Sequence, residues 1–169
     1  MVVVLNYLVN PFKQLNGSLK RLSLWHSLFS LVVFTLFLIS LGNRYTIFSF
    51  LVQFLLVVVV LSLVVGIIDF IAQLLKKKSA AVLLFKWLAV STMLWIYITP
   101  LMLLASHVSV VWLLLLYVVF FSIYFKVQVL TIKKLYGIRT VQAFILLSLP
   151  GVLLGGGILL FGLNLITYF

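Results

Sequence analysis

Residues 46–75 hold a single charged side chain, Asp69, in thirty otherwise uncharged positions, and the run stops at Lys76-Lys77-Lys78. As one helix it would be about 45 Å long at 1.5 Å per residue, against about 30 Å of hydrocarbon in a bilayer. Such a segment needs lipid on most of its sides, with tilt or projection into the headgroups taking up the excess. The rest of the 169-residue chain agrees. Its residues are 66% hydrophobic and 8% charged, where soluble domains carry about 25% charged residues, and its mean hydropathy is +1.42. The expected fold class is all-α: a single membrane domain.

Four more apolar runs, at about 22–41, 82–106, 108–125 and 141–168, bring the expected transmembrane helices to five. Ahead of them, residues 1–21 carry Phe12, Leu15 and Leu19 at helical spacing, with Lys13, Lys20 and Arg21 on other faces. This pattern predicts a short amphipathic segment lying at the interface. The first residues lack the basic region and small-residue cleavage site of a signal peptide, so no removal is expected. Pro100 should kink the third span. Pro150-Gly151 and Gly155-Gly156-Gly157 should interrupt the fifth, and the basic stretch before it breaks at Tyr136-Gly137.

The charges orient the spans. Of twelve Lys and Arg residues, Arg44 alone falls on the side reached after odd-numbered spans. By the positive-inside rule the N-terminus is cytoplasmic and the C-terminus outside. The net charge of +11 therefore implies anionic cytoplasmic lipid as a partner rather than nucleic acid. Lys76, Lys77, Lys78, Lys133, Lys134 and Arg139 are the expected headgroup or partner contacts. No cysteine is present, which removes disulfides, thiolate catalysis and cysteine metal sites.

Asp69 is the first candidate site, because an ionisable group in a span is functional by default. Its depth argues for a structural role instead. Lys76 follows seven residues later, and a hairpin turn at 76–79 would set Asp69 level with Lys86 on the next span. An Asp69–Lys86 ion pair would offset both burial costs, with Lys126 as a second partner, and Asp69→Asn should then damage folding. One Asp, no Glu and two His, His26 and His107 on opposite sides, are a poor inventory for acid–base catalysis or metal binding. No catalytic residue, metal or cofactor is expected. Gly151 and Gly155, four apart, give the last span a small-residue face for packing on another helix. Trp25, Trp87, Trp95, Trp112 and the tyrosines read as interface anchors, and Gln53 and Gln128 as interhelical hydrogen-bonders.

Two stretches carry a resemblance to a known family. One is Ile68-Asp69-Phe70-Ile71-Ala72, its lysine turn, and a third span entered through Leu84-Phe85-Lys86 and broken at Thr99-Pro100. The other runs from Lys133-Lys134-Leu135-Tyr136-Gly137 through Ile138-Arg139-Thr140-Val141-Gln142-Ala143 to Leu149-Pro150. With Asn10-Pro11-Phe12 at the entry, they resemble the Yip1-domain membrane proteins over nearly the whole chain, in particular the short bacterial members. The resemblance implies five spans in a bacterial cytoplasmic membrane and supplies no catalytic residues. The trafficking role of eukaryotic members is not carried over, because only about 21 residues precede the first span. The expected function is a non-enzymatic scaffold or accessory subunit, partnered by another membrane protein or by copies of itself. The rival is a small transporter or permease component for a lipid or hydrophobic solute.

Overall fold

A computed structural model describes residues 22–41, 46–97 and 109–153. Among these the chain is helical, in five helices. They are α1 (Leu24–Leu41), α2 (Ile47–Leu74), α3 (Ala81–Ser91), α4 (Val110–Tyr136) and α5 (Thr140–Leu153). The interfacial segment at 1–21, Arg44, Pro100, His107, Gly155 and the rest of the triple glycine lie outside the described residues.

Two of the helices, α2 and α4, are long and apolar enough to cross a membrane. Their apolar side chains face outward along much of their length: Leu51, Leu55 and Leu63 on α2, and Leu114, Val118 and Ile123 on α4. An aqueous fold would bury such residues; a helix with lipid for solvent does not. The apolar run expected to end near 125 continues as helix to Tyr136 and takes Lys126, Lys133 and Lys134 with it.

Short as it is, α3 sits at the centre, in contact with α1, α2 and α4. Every residue from Trp87 to Leu94 is buried. One face of α3, Leu84 and Leu88, joins Val65, Ile68 and Ala72 of α2 and Val129 and Ile132 of α4. The other, Trp87, Val90 and Leu94, packs with Leu22 and Val127. Spacings of three and four residues on each face follow from the 3.6-residue turn. After Ser91 the helix tightens into a 3-10 stretch over Thr92–Tyr97. The hydroxyls of Ser91 and Thr92 donate to the carbonyls of Leu88 and Ala89, at 2.6 and 2.7 Å. They compete there for backbone acceptors and favour the narrower turn.

The face that α1 buries is its small polar one. Ser27, Ser30, Leu31 and Thr35 are fully buried. Ser30 and Thr35 donate to carbonyls four residues back, both at 2.8 Å, and Ser27 donates across to the Lys86 carbonyl at 3.3 Å. Small side chains with internally satisfied hydroxyls let two helices approach closely, the usual packing device away from water.

The two turns at the basic end share a design. At the end of α2, the amides of Lys76 and Lys77 donate to the carbonyls of Gln73 and Ala72, at 2.8 and 3.0 Å. This double bond pattern requires a left-handed residue, and Lys76 supplies it at φ 58°, at a cost of about 1–2 kcal/mol for a residue with a Cβ. At the end of α4, Gly137 (φ 59°) takes the same conformation without that cost. Beyond it, the Gln142 side chain accepts from the Arg139 amide at 3.1 Å and caps the start of α5.

The break expected at Pro150-Gly151 is not found, since α5 continues through both to Leu153. Proline within a helix removes a single backbone donor, the one facing the carbonyl four residues back. Burial of the Pro150 ring favours keeping the helix intact around that loss.

Candidate functional site

Asp69 lies in the last third of α2, 4% exposed, beside the apolar cluster formed by Ile68, Ala72, Leu84 and Ile132. Its carboxylate accepts four hydrogen bonds, two on each oxygen. Oδ1 receives the Tyr136 hydroxyl at 2.6 Å and the Ala80 amide at 2.8 Å. Oδ2 receives the Gln73 side-chain amide and the Ser79 hydroxyl, both at 2.7 Å. An ionised carboxylate has acceptors alone, about four lone-pair sites in all. The four donors therefore complete its hydrogen-bonding capacity with neutral groups.

Each donor has a local reason for being there. Gln73 stands four residues after Asp69, one turn along the same face. Ser79 and Ala80 arrive because the left-handed turn at Lys76 folds residues 77–80 back along α2. Ala80 occupies the N-cap of α3 with no side-chain hydrogen bond of its own, and alanine is among the poorest residues there. Asp69 supplies the missing acceptor from the neighbouring helix. It also sets a negative charge at the N-terminus of α3, where the helix dipole favours one. Tyr136, in the last turn of α4, ties in the third helix.

The expected counter-ion, Lys86, is not among these four groups, and neither is Lys126. A symmetric hairpin would have set Lys86 beside Asp69. Because the turn folds back, α3 instead begins at the level of Asp69. Lys86 then lies six residues further on, about 9 Å along the axis. The carboxylate is stabilised by hydrogen bonds from neutral donors and not by the expected ion pair.

The basic candidates do gather at one end. Lys76, Lys78, Lys133, Lys134 and Arg139 are exposed. Lys77 Nζ reaches the Gly137 carbonyl at 3.5 Å, joining the turn after α2 to the turn after α4. Lys133 Nζ donates to Thr140 Oγ1 at 3.1 Å. Gly151 is exposed on α5, and a Cβ built there meets nothing within 4 Å. It therefore packs on no other described helix, and Gly155 lies outside the described residues.

The aromatic residues divide. Trp25 and Trp112 are exposed, at 80% and 63%, as interface anchors would be. Trp87 is buried in the core, and Trp95 packs on Phe34, Phe120 and Tyr124 with ring centroids 5.8–6.3 Å apart. These two are packing residues, and the expectation that they anchor the interface is corrected. Gln128 does reach between helices, with Nε2 3.5 Å from Ser91 Oγ. Gln53 Oε1 is buried without a hydrogen-bond partner among the described residues.

Tyr136 and Ser79 are the functional residues that sequence reasoning missed. A lone buried acid signals that donors must exist, but nothing in the spacing of residues 69, 79 and 136 says which. Chemically the arrangement is a clamp. No three side chains able to hold a metal ion come together among the described residues, and Asp69 lines neither the groove between α4 and α5 nor the one that Leu63, Gly66 and Phe70 of α2 form with Leu153. No family model matches the chain, and no curated protein or solved structure matches it either.

Proposed function

We propose that this chain is a non-enzymatic, five-span integral membrane protein of the Yip1 type that serves as a scaffold or accessory subunit in a membrane assembly. The N-terminus and basic turns lie on the cytoplasmic side, in a bacterial cytoplasmic membrane. One observation carries the reading: the sole acid of the chain is spent on holding α2, α3 and α4 together. The acid's four hydrogen bonds leave it no free acceptor, while the face of α5 around Gly151 is uncovered by any other described residue. A rigid helical body with a bare small-residue face suits docking against another transmembrane helix. The basic turns suit anionic headgroups, at about 1 kcal/mol per lysine near the surface.

Membrane residence and orientation are tested together, using the absence of native cysteine. The protein should stay in membranes through carbonate extraction. A membrane-impermeant thiol reagent added to spheroplasts should label an Arg44→Cys variant and spare Lys78→Cys; the reverse pattern would reject the orientation. The scaffold role is tested on Gly151. A partner protein or second copy should co-purify with the wild type in mild detergent at fixed stoichiometry. Gly151→Leu should lose it while keeping helix content and unfolding midpoint, because the added side chain meets no described neighbour. Retention of the whole assembly by Gly151→Leu would reject this face as the interface.

A further inference from the structure

The two basic turns are fastened to each other as well as to their own helices. Tyr136, which closes α4, donates to Asp69 Oδ1 at 2.6 Å, and Ser79, just after Lys78, donates to Oδ2 at 2.7 Å. The acid therefore holds the turn after α2 beside the turn after α4. A second tie crosses directly, from Lys77 Nζ to the Gly137 carbonyl at 3.5 Å. Each turn is also closed by its own backbone: the Lys77 amide donates to the Ala72 carbonyl at 3.0 Å, and the Ile138 amide to the Lys133 carbonyl at 3.2 Å. Lys76 and Lys78 are exposed on one turn, Lys133 and Arg139 on the other. No acidic side chain relieves their mutual repulsion. Asp69 is the only one in the chain, and its four acceptor positions go to neutral donors. Exposed apolar side chains flank the same turns, Leu74 and Leu75 before Lys76 and Val141 after Arg139.

We propose that the paired turns bind one diphosphatidyl lipid, one phosphate at the turn of Lys76 and Lys78 and the other at the turn of Lys133 and Arg139. Its acyl chains run along Leu74, Leu75 and Val141. Charge complementarity selects the occupant. The cations form two groups on two turns whose spacing is fixed in advance, and such preorganisation favours a ligand that meets both at once. A single phosphate reaches one group and leaves the other uncompensated. A second copy of the chain, at a net charge of +11, would bring positive charge to a positive site. A soluble diphosphate would leave the flanking apolar side chains in water, where acyl chains would cover them. Basic sites between transmembrane helices at the cytoplasmic face suit headgroups of this kind. The inference rests on the membrane residence and cytoplasmic placement of the turns proposed above, and not on the scaffold role.

The test uses the full chain, stripped of lipid in detergent and then offered diphosphatidylglycerol or phosphatidylglycerol at equal phosphate. Bound lipid is counted by native mass spectrometry. The wild type should retain one diphosphatidylglycerol per chain, preferred about 25-fold over phosphatidylglycerol. That factor is about five-fold for each of the two cations that the second phosphate engages. Lys78→Gln and Arg139→Gln, at exposed positions on different turns, should each cut the preference about five-fold. Arg44→Gln, on the opposite side in the expected topology, should leave it unchanged. Excess inorganic pyrophosphate should not displace the lipid. Retention of two phosphatidylglycerols as firmly as one diphosphatidylglycerol would overturn the proposal, since the turns would then act separately. So would a loss confined to one turn, or an equal loss in Arg44→Gln, which would reduce the attraction to net charge. Displacement by pyrophosphate would make the ligand a soluble one and overturn it too. A chain released by carbonate would sink the membrane reading itself, a different result from a membrane-resident chain without lipid preference.

Discussion

Replacing Asp69 by alanine is expected to destabilise the protein by about 3–5 kcal/mol, read from denaturant unfolding in detergent micelles. The size follows from what is left behind. Removing the carboxylate strands the hydroxyl of Tyr136, which is buried, and the amide of Ala80, at about 1–3 kcal/mol per unsatisfied donor. The Ala80 bond is also the cap that Asp69 lends to α3, so it enters once. Ser79 and Gln73 are exposed and can turn to water. Asp69→Asn should be milder, about 1–3 kcal/mol. With the amide oxygen in the place of Oδ1, Tyr136 and Ala80 keep their acceptor. The amide nitrogen then faces a hydroxyl that can rotate and a glutamine that can flip. The prediction differs from that of an ion pair, in which removing one charge strands the other at full cost. Tyr136→Phe completes a double-mutant cycle: the coupling to Asp69 should be 1–3 kcal/mol, and a coupling near zero would remove Tyr136 from the clamp. Equal losses for the asparagine and alanine variants would show that charge, not hydrogen-bond geometry, sets the cost.

Trp87→Ala should cost about 3–5 kcal/mol, the range for deleting a large buried aromatic side chain. Trp87 is 1% exposed, on the face of α3 that meets Leu22 and Val127, and the cavity left behind is enclosed by helices that cannot all collapse into it. The contrast is Trp25→Ala on α1. At 80% exposure its indole touches little protein, and the unfolding midpoint should move by less than about 0.5 kcal/mol. If the two tryptophans gave similar losses, α3 would not be the centre of the packing.

Much of the helical layout can be read from the chain directly, because apolar run length and the placement of lysine are one-dimensional signals. The limits of α1 and α2 fall within two residues of the runs at 22–41 and 46–75. Sidedness within the bundle is harder. Leu, Val and Phe surround every helix here, so periodicity does not say which stripe faces protein and which faces lipid. The buried face of α1 is marked by Ser27, Ser30 and Thr35, the reverse of the rule for proteins in water. The same inversion hid Trp87, whose type suggests an interface and whose position is the core. At the candidate site, the need to neutralise Asp69 and the nearness of Gln73 were both readable. Lys86 as the partner was an error of turn geometry: with Lys76 in a left-handed conformation, Ala80 rather than Lys86 stands at Asp69, a shift of six residues, about 9 Å along the axis. Tyr136 sits 67 residues away, a separation that no local pattern encodes.

The order in which the Asp69 clamp closes has a consequence for biogenesis. Three of its four donors come from residues four, ten and eleven positions downstream. They leave the ribosome almost with the acid itself, so a nascent α2–α3 hairpin can shelter the carboxylate before α4 has been made. Tyr136 follows much later in synthesis and adds the last bond when α4 docks. In the membrane reading proposed above, the chain would carry its one costly group through insertion already sheltered by its own neighbours, with the final hydrogen bond as a latch on assembly.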